Sequence, residues 1–486
     1  MEQRILVPGR TCWRIEQARR LRVIVDAAEY FRAVKQAMLQ AQQTLMLVGW
    51  DFDTRIGFEY GTPTLEGPNL LGDFLPWLVK QRPQLHVYVL KWDLGMLQSL
   101  GRGMLPMVVG SWFGNRRLHF KLDGKHPVGS AHHQKIVVID DAMAFCGGID
   151  ITAERWDTRE HVDDDPRRYV RGVGRFGPWH DATTAVDGPV ARGIGDVARQ
   201  RWQAATGRSL DVADTDTDAW PEGLDPTMRD VSVGIARTLP EMRQCPEVRE
   251  IEALYLAGIA AARHTIYLES QYLAARRLAE ALCERLAERD GPEVVVVLPK
   301  EVGNWLEHET MDGARARLLH LLWRADKYGR LGVYYPVTAS GESIYVHAKI
   351  MVIDDVLLRV GSSNLNNRSM GFDTECDLVV EADDGDEHLR KVIVSVRDDL
   401  VCEHLAVRAI ELESQLQAQS GSLHSTIEAL RGDGRSLRVF DPDCIVDDDS
   451  PLAENELLDP EGLARPRRSV RRWLARLHGG KSAGGN

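Results

Sequence analysis

Short apolar runs alternate with stretches of helical spacing, and the alternation occurs twice along the chain. Residues Ala27–Gln43 place apolar side chains at helical intervals, and TLMLV at Thr44–Val48 follows as a β-rich run too short for a helix. The second half repeats the order: Ile251–Arg263 has helical spacing, and TIYL at Thr265–Leu268 reads as a strand. Each half continues with a second apolar strand, HVYVL at His86–Leu90 and EVVVVL at Glu293–Leu298, then a further helical stretch and another apolar run. Runs that are apolar at nearly every position predict a sheet covered on both faces. The expected fold is α/β, with two homologous sandwich lobes related by pseudo-twofold symmetry.

The 486 residues exceed one ordinary core, which also favours two lobes. Residues 1–210 are expected to form the first lobe and 231–410 the second. The stretch 211–230 (DVADTDTDAWPEGLDPTMRD) lacks periodicity and reads as a linker. Helical spacing returns around His388–Leu416. Residues 411–486 are expected to form a C-terminal arm, acidic at Asp441–Asp449 and basic at Arg465–Arg476. Within Arg467–His478, Val470, Trp473, Leu474 and Leu477 share one helical face among arginines. That pattern suits an anionic membrane surface or docking on the acidic stretch. The apolar segment Gly103–Phe113 (GMLPMVVGSWF) reads either as an interfacial loop or as a helix on the lobe core.

Chemistry-bearing residues also recur. Ala131–Asp150 reads AHHQKIVVIDDAMAFCGGID, and Val346–Asn364 reads VHAKIMVIDDVLLRVGSSN. Both hold His-x-Lys-x4-Asp with a small-residue pair seven positions on: His133, Lys135, Asp140, Gly147 and Gly148, then His347, Lys349, Asp354, Gly361 and Ser362. The copies lie 214 positions apart, so one shared active site built from two halves is expected. If the motif lies in a strand, His and Lys share a face, whereas each Asp sits at the strand's end. The aspartates are therefore expected to satisfy polar groups at a turn. Asp150 stands where the second half has Asn364.

This double motif resembles that of the phospholipase D superfamily. GGIDITAERWDT at Gly147–Thr158, PWHD within Pro178–Arg201, IYLESQY at Ile266–Tyr272 and GSSNLNNRSMGFDTE at Gly361–Glu375 are similar to the eukaryotic-type catalytic core, over roughly residues 20–400. The resemblance implies phospholipase D-like lobes and a phosphodiester substrate. It implies a phosphohistidine formed on one histidine while the other protonates the leaving alkoxide. His133 is taken as nucleophile and His347 as acid. The two lysines stabilise phosphoryl charge, Gly148 permits close backbone approach, and Ser362 and Asn364 supply further hydrogen bonds. By the same resemblance Asp181 supports His133 and Glu375 supports His347. His132 is expected in the core, and His180 either there or against substrate. Glu269, Gln271 and Tyr272 either line the headgroup pocket or close the sheet edge.

The expected reaction is hydrolysis of the distal phosphodiester of a glycerophospholipid, with transphosphatidylation to alcohols. Cardiolipin synthase-type phosphatidyl transfer is the alternative, and a nucleic-acid phosphodiesterase stands third. The net charge of −12 argues against broad nucleic-acid binding. Neither a cofactor nor a metal is expected. The partner is a phospholipid at a membrane surface, and duplication within one chain predicts a monomer. Cys12, Cys146, Cys245, Cys283, Cys376, Cys402 and Cys444 form no CxxC pair, which predicts reduced thiols. No run approaches the roughly 18 apolar residues of a membrane span, and the N-terminus lacks a signal-peptide core. The expectation is a cytoplasmic protein, peripheral at the inner membrane surface.

Overall fold

The structure, a computed structural model, describes residues 4–93, 112, 115–170, 172–215, 217–242, 245–301, 305–441 and 459, with the backbone alone at 305–314. The readings of Gly103–Phe113, of the acidic stretch beyond Asp441 and of the basic helix Arg467–His478 fall outside these residues, Trp112 and Asp441 excepted.

One mixed sheet runs through both halves. In the first, Thr44–Gly49 pairs parallel with His86–Trp92, which pairs parallel with Leu118–Asp123. On its other side Thr44–Gly49 pairs antiparallel with Ile136–Ile139, and the sheet continues through Met143–Gly147 and Ala182–Asp187 to Arg14–Val25. The second half repeats this with Thr265–Glu269, Glu293–Val297 and Leu331–Val337 parallel. Ile350–Ile353, Leu357–Gly361, Glu375–Glu381 and Met228–Leu239 follow antiparallel. Arg14–Val25 and Met228–Leu239 then pair antiparallel and join the halves.

Burial on both faces explains the continuous apolar runs. Met46 and Val48 face a core shared by the two halves, whereas Leu45 and Leu47 face a core under the helices Ala27–Leu39 and Leu71–Gln81. Val295 and Val297 face the shared core, and Val294 and Val296 face the helices Glu250–Ala261 and Arg276–Ala287. The helices Pro189–Thr206 and Glu387–Leu405 cover the shared core.

The organisation departs from the sequence reading in three places. The stretch 211–230 gives way to a strand at Met228, and before that it packs on the first half: Ala213, Ala219 and Leu224 are buried. Chain beyond 411 still belongs to the second half, because Ser436–Val439 adds to the sheet edge beside Leu331–Val337. Four residues with a central arginine carry too little alternation to announce a strand. The motif strands also begin later than expected, at Ile136 and Ile350, so each His and Lys lies just before its strand.

Candidate active site

Each motif segment leaves its own half and pairs with the other. His133 N–H donates to Thr374 O at 3.0 Å, and Thr374 N–H donates to Ala131 O at 3.0 Å. In the pseudo-symmetric place, His347 N–H donates to His180 O at 2.7 Å, and Tyr345–Val346 pairs parallel with Trp179–His180. Thr374 and His180 immediately precede Glu375 and Asp181, so the clasp delivers a carboxylate to each imidazole from the opposite half. His133 Nδ1 lies 3.0 Å from Glu375 Oε1, and His347 Nδ1 lies 2.7 Å from Asp181 Oδ2. This corrects the expected pairing, in which Asp181 served His133 and Glu375 served His347. Both Nδ1 atoms being engaged, both Nε2 atoms are left for chemistry.

The carboxylates are held in turn. Ser362 Oγ donates to Glu375 Oε2 at 2.5 Å, and Ser369 Oγ donates to Oε1 at 2.7 Å. Ser362 thus fixes the carboxylate, where the sequence reading aimed its hydroxyl at the phosphate. Asp181 Oδ1 accepts from Ala182 N–H at 2.8 Å. A Cβ on Gly148 would lie 2.3 Å from Asp181 Oδ1, so only glycine leaves room for this carboxylate.

Burial controls the protons. It pushes the Glu375 carboxyl up to about 8 despite Ser362, Ser369 and Lys135. It pushes Asp181 up to about 7 despite Lys349. Both imidazoles are held well below their ordinary value, by burial first and then by nearby cations: Lys135 and Lys349 at His133, and Lys349, Arg155 and Lys135 at His347. Burial thus disfavours separated charge within each pair.

Lys135 and Lys349 are both buried. Lys135 Nζ donates to His133 O at 3.0 Å and meets Asp150 Oδ2 at 2.9 Å. Asp150 is thus the counter-ion of Lys135. Lys349 Nζ donates to His347 O, and burial lowers its pKa to about 7 against the pull of Asp181. Asn364 is buried, and its Oδ1 lacks a hydrogen-bond partner.

The motif aspartates point away from this centre. Asp140 accepts from the N–H groups of Gln42, Gln43 and Thr44 at 2.7, 2.8 and 2.7 Å. Asp354 accepts from those of Arg263, His264 and Thr265 at 2.8, 2.8 and 2.7 Å. Each ties the turn after its motif strand to the start of the neighbouring strand, with φ of 49° at both.

His132 is buried, its Nδ1 3.0 Å from Thr374 Oγ1 and its Nε2 3.2 Å from Asp123. His180 is also buried, bridging Glu403 and Glu269 at 2.8 Å each. His404 Nε2 lies 3.0 Å from Glu269, and His161 Nδ1 lies 3.0 Å from Asp157. Asp26, His161, His180 and Glu403 bring donor atoms within 4.8 Å of one another, as do His180, Glu269 and His404. Either group is near enough to hold an ion. As they stand, these imidazoles meet carboxylates and stitch the halves together beneath Asp181. Glu269 belongs to this network, whereas Gln271 Nε2 donates to the hydroxyls of Tyr272 and Tyr345 at 2.8 and 2.9 Å.

Sequence reading missed the Arg155–Trp179–Tyr345 group beside His347. Trp179 stacks on Tyr345 with centroids 4.5 Å apart, and its ring lies 5.2 Å from that of His347. The Arg155 guanidinium carbon sits 4.1 Å from the Trp179 centroid. Both residues lie in segments that resemble the family, but only tertiary pairing places them together.

Two related α/β halves, each lending a carboxylate to the other's motif histidine, define a double-motif protein with one composite site. The family model described as "Cardiolipin synthase, PLD-like domain" matches residues 255–396. Phospholipase D A of Dictyostelium discoideum is 22% identical over 436 residues, which cover 74% of this chain and 32% of that protein. Phospholipase D alpha 4 of Arabidopsis thaliana is 22% identical, over 87% of this chain and 69% of its own length. Phosphatidylserine synthase of Haemophilus influenzae Rd KW20 shares the fold, with a TM-score of 0.50 at 11% identity over 80% of this chain and 87% of that one. Together these likenesses support the phospholipase D superfamily as the family of this chain. It spans about a third of the length of the Dictyostelium relative. No helix among the described residues is long and apolar enough to cross a membrane.

Proposed function

We propose that the protein is a phospholipase D, cleaving the distal phosphodiester of glycerophospholipids to phosphatidic acid and a free headgroup. The observation that carries this reading is the crossed pair of dyads, His133–Glu375 and His347–Asp181, with Lys135 and Lys349 beside them. A bound phosphodiester supplies the negative charge that raises both imidazole pKa values and offsets the two ammonium groups. His133 Nε2 attacks phosphorus, and the bond to the headgroup oxygen breaks as that oxygen takes the proton from His347 Nε2. His347 then accepts a proton from water, whose oxygen attacks phosphorus and breaks the P–N bond. An alcohol replaces water in the same step and gives transphosphatidylation.

Mixed phospholipid vesicles with and without ethanol test this reading. Ethanol should divert product from phosphatidic acid to phosphatidylethanol, and rapid quenching should find a phosphatidyl adduct on the peptide containing His133. Headgroup release without diversion and without an adduct would refute the covalent route. The match to the cardiolipin synthase family model favours a second reading, in which a lipid glycerol hydroxyl is the acceptor. Cardiolipin formed from phosphatidylglycerol alone would favour it.

A further inference from the structure

Among the described residues Arg155 is a cation without a carboxylate partner. It is half-buried, and its Nε is buried without a hydrogen-bond partner. Its one hydrogen bond among the described residues is a long one, 3.4 Å from Nη1 to Glu154 O, and no described carboxylate lies within ion-pairing distance. Lys135 by contrast has Asp150. The charge of Arg155 is felt at the reacting pair, where it lowers His347 and Asp181. A half-buried guanidinium without a carboxylate partner beside a catalytic histidine favours an oxyanion, which it meets with paired N–H donors.

The surroundings decide where that oxyanion lies. Trp179 carries Arg155 at 4.1 Å and the ring of Tyr345 at 4.5 Å, the two rings inclined by 19°. A guanidinium and a stacked ring at such distances do not fit on one face, so both faces of the indole are occupied. The indole therefore has no open face for a quaternary ammonium, which binds over aromatic faces. Its ring also lies 5.2 Å from that of His347, the proton donor to the leaving headgroup in the proposed reaction. The group departing beside His347 thus meets a positive wall.

We infer that Arg155, seated on Trp179, is the headgroup-recognising residue of this site, and that it selects phospholipids whose headgroup carries its own oxyanion. That chemistry is found in the carboxylate of phosphatidylserine and in the second phosphate of cardiolipin. The inference rests on the phospholipase D reading above.

Soluble short-chain analogues, dihexanoyl phosphatidylserine, tetrahexanoyl cardiolipin and dihexanoyl phosphatidylcholine, test it without surface charge intervening. The full chain should show a kcat/KM at least tenfold higher for one or both anionic-headgroup lipids than for the choline lipid; which of the two leads identifies the oxyanion. Arg155→Met should lower that ratio at least tenfold, and Arg155→Lys should retain part of it. The ratio is taken within one sample, so the amount of folded enzyme cancels. An unchanged ratio in Arg155→Met, or a wild-type preference for choline, would overturn the assignment. Equal loss on all lipids would place Arg155 on the transferred phosphate and would also overturn it. Absence of any lipid cleavage by the wild-type chain would instead defeat the phospholipase D reading itself, and the inference with it.

Discussion

His347 Nδ1 lies 2.7 Å from Oδ2 of Asp181, a residue 166 positions earlier in the opposite half of the chain. Both groups are buried, and the carboxylate fixes which imidazole nitrogen faces the reaction. Asp181→Asn keeps the shape and removes the charge, so the imidazolium formed in catalysis loses its stabilising partner. Turnover should fall on the order of 10³–10⁴-fold with folding intact. Steady-state headgroup release and a thermal melt check this; a fall under tenfold would deny the dyad its role.

Gly148 separates the same carboxylate from the lysine of the second motif. An added Cβ would lie 2.3 Å from Asp181 Oδ1 and 3.2 Å from Lys349 Cδ. Gly148→Ala should displace Asp181, cutting kcat by about 10²-fold, as misplacements of about an ångström do. Gly207→Ala is the comparison: its added Cβ meets nothing within 4 Å, although φ is +72°, so it should cost stability and leave kcat nearly unchanged.

Asp354 is predicted to matter for stability alone. Asp354→Ala removes the acceptor of three backbone N–H groups, of which that of Thr265 is buried, and should cost about 1–3 kcal/mol. Activity per folded molecule should stay within a few-fold of wild type. Chemical denaturation with active-site titration separates the effects; normal stability with lost turnover would contradict this role.

Lys349 sets an alkaline limb. Burial holds its pKa down at about 7, so the free enzyme loses one phosphate-binding charge as pH rises through that value. kcat/KM, which reports the free enzyme, should therefore decline above about pH 7. Lys349→Arg keeps its charge throughout and should lack this limb, whatever its absolute rate. The same limb in both proteins would assign it to another group.

His161 should make stability pH-dependent. Burial lowers its pKa, but Asp26, Asp157 and Glu403 outweigh that and lift it to about 9. The folded value exceeds the unfolded one of about 6.5, so this contribution is full below about 6.5 and lost as pH rises to about 9. His161→Gln should melt lower than wild type at pH 6, and the gap should close by about pH 9.5. A gap independent of pH would show that charge on His161 is not what holds the halves there.

The sequence alone determined the two-fold repeat, the α/β alternation and the two His-x-Lys-x4-Asp copies, because these rest on local spacing and strand burial. Leu45–Val48 and Val294–Val297 announce a two-sided core through side chains that point alternately to opposite faces. The capping role of Asp140 and Asp354 was legible too, from their offset at a strand end. The join between halves was hidden: Arg14–Val25 carries charges along much of its length and shows no clear apolar run. Only the tertiary structure decided which carboxylate meets which histidine, and that Arg155 rests on Trp179 beside Tyr345 and His347. The crossed dyads follow from backbone pairing of Ala131–His133 with Thr374 and of Tyr345–His347 with Pro178–His180. Each pairing joins residues more than 160 positions apart, and no periodicity within a half encodes which segment of the other half it will meet.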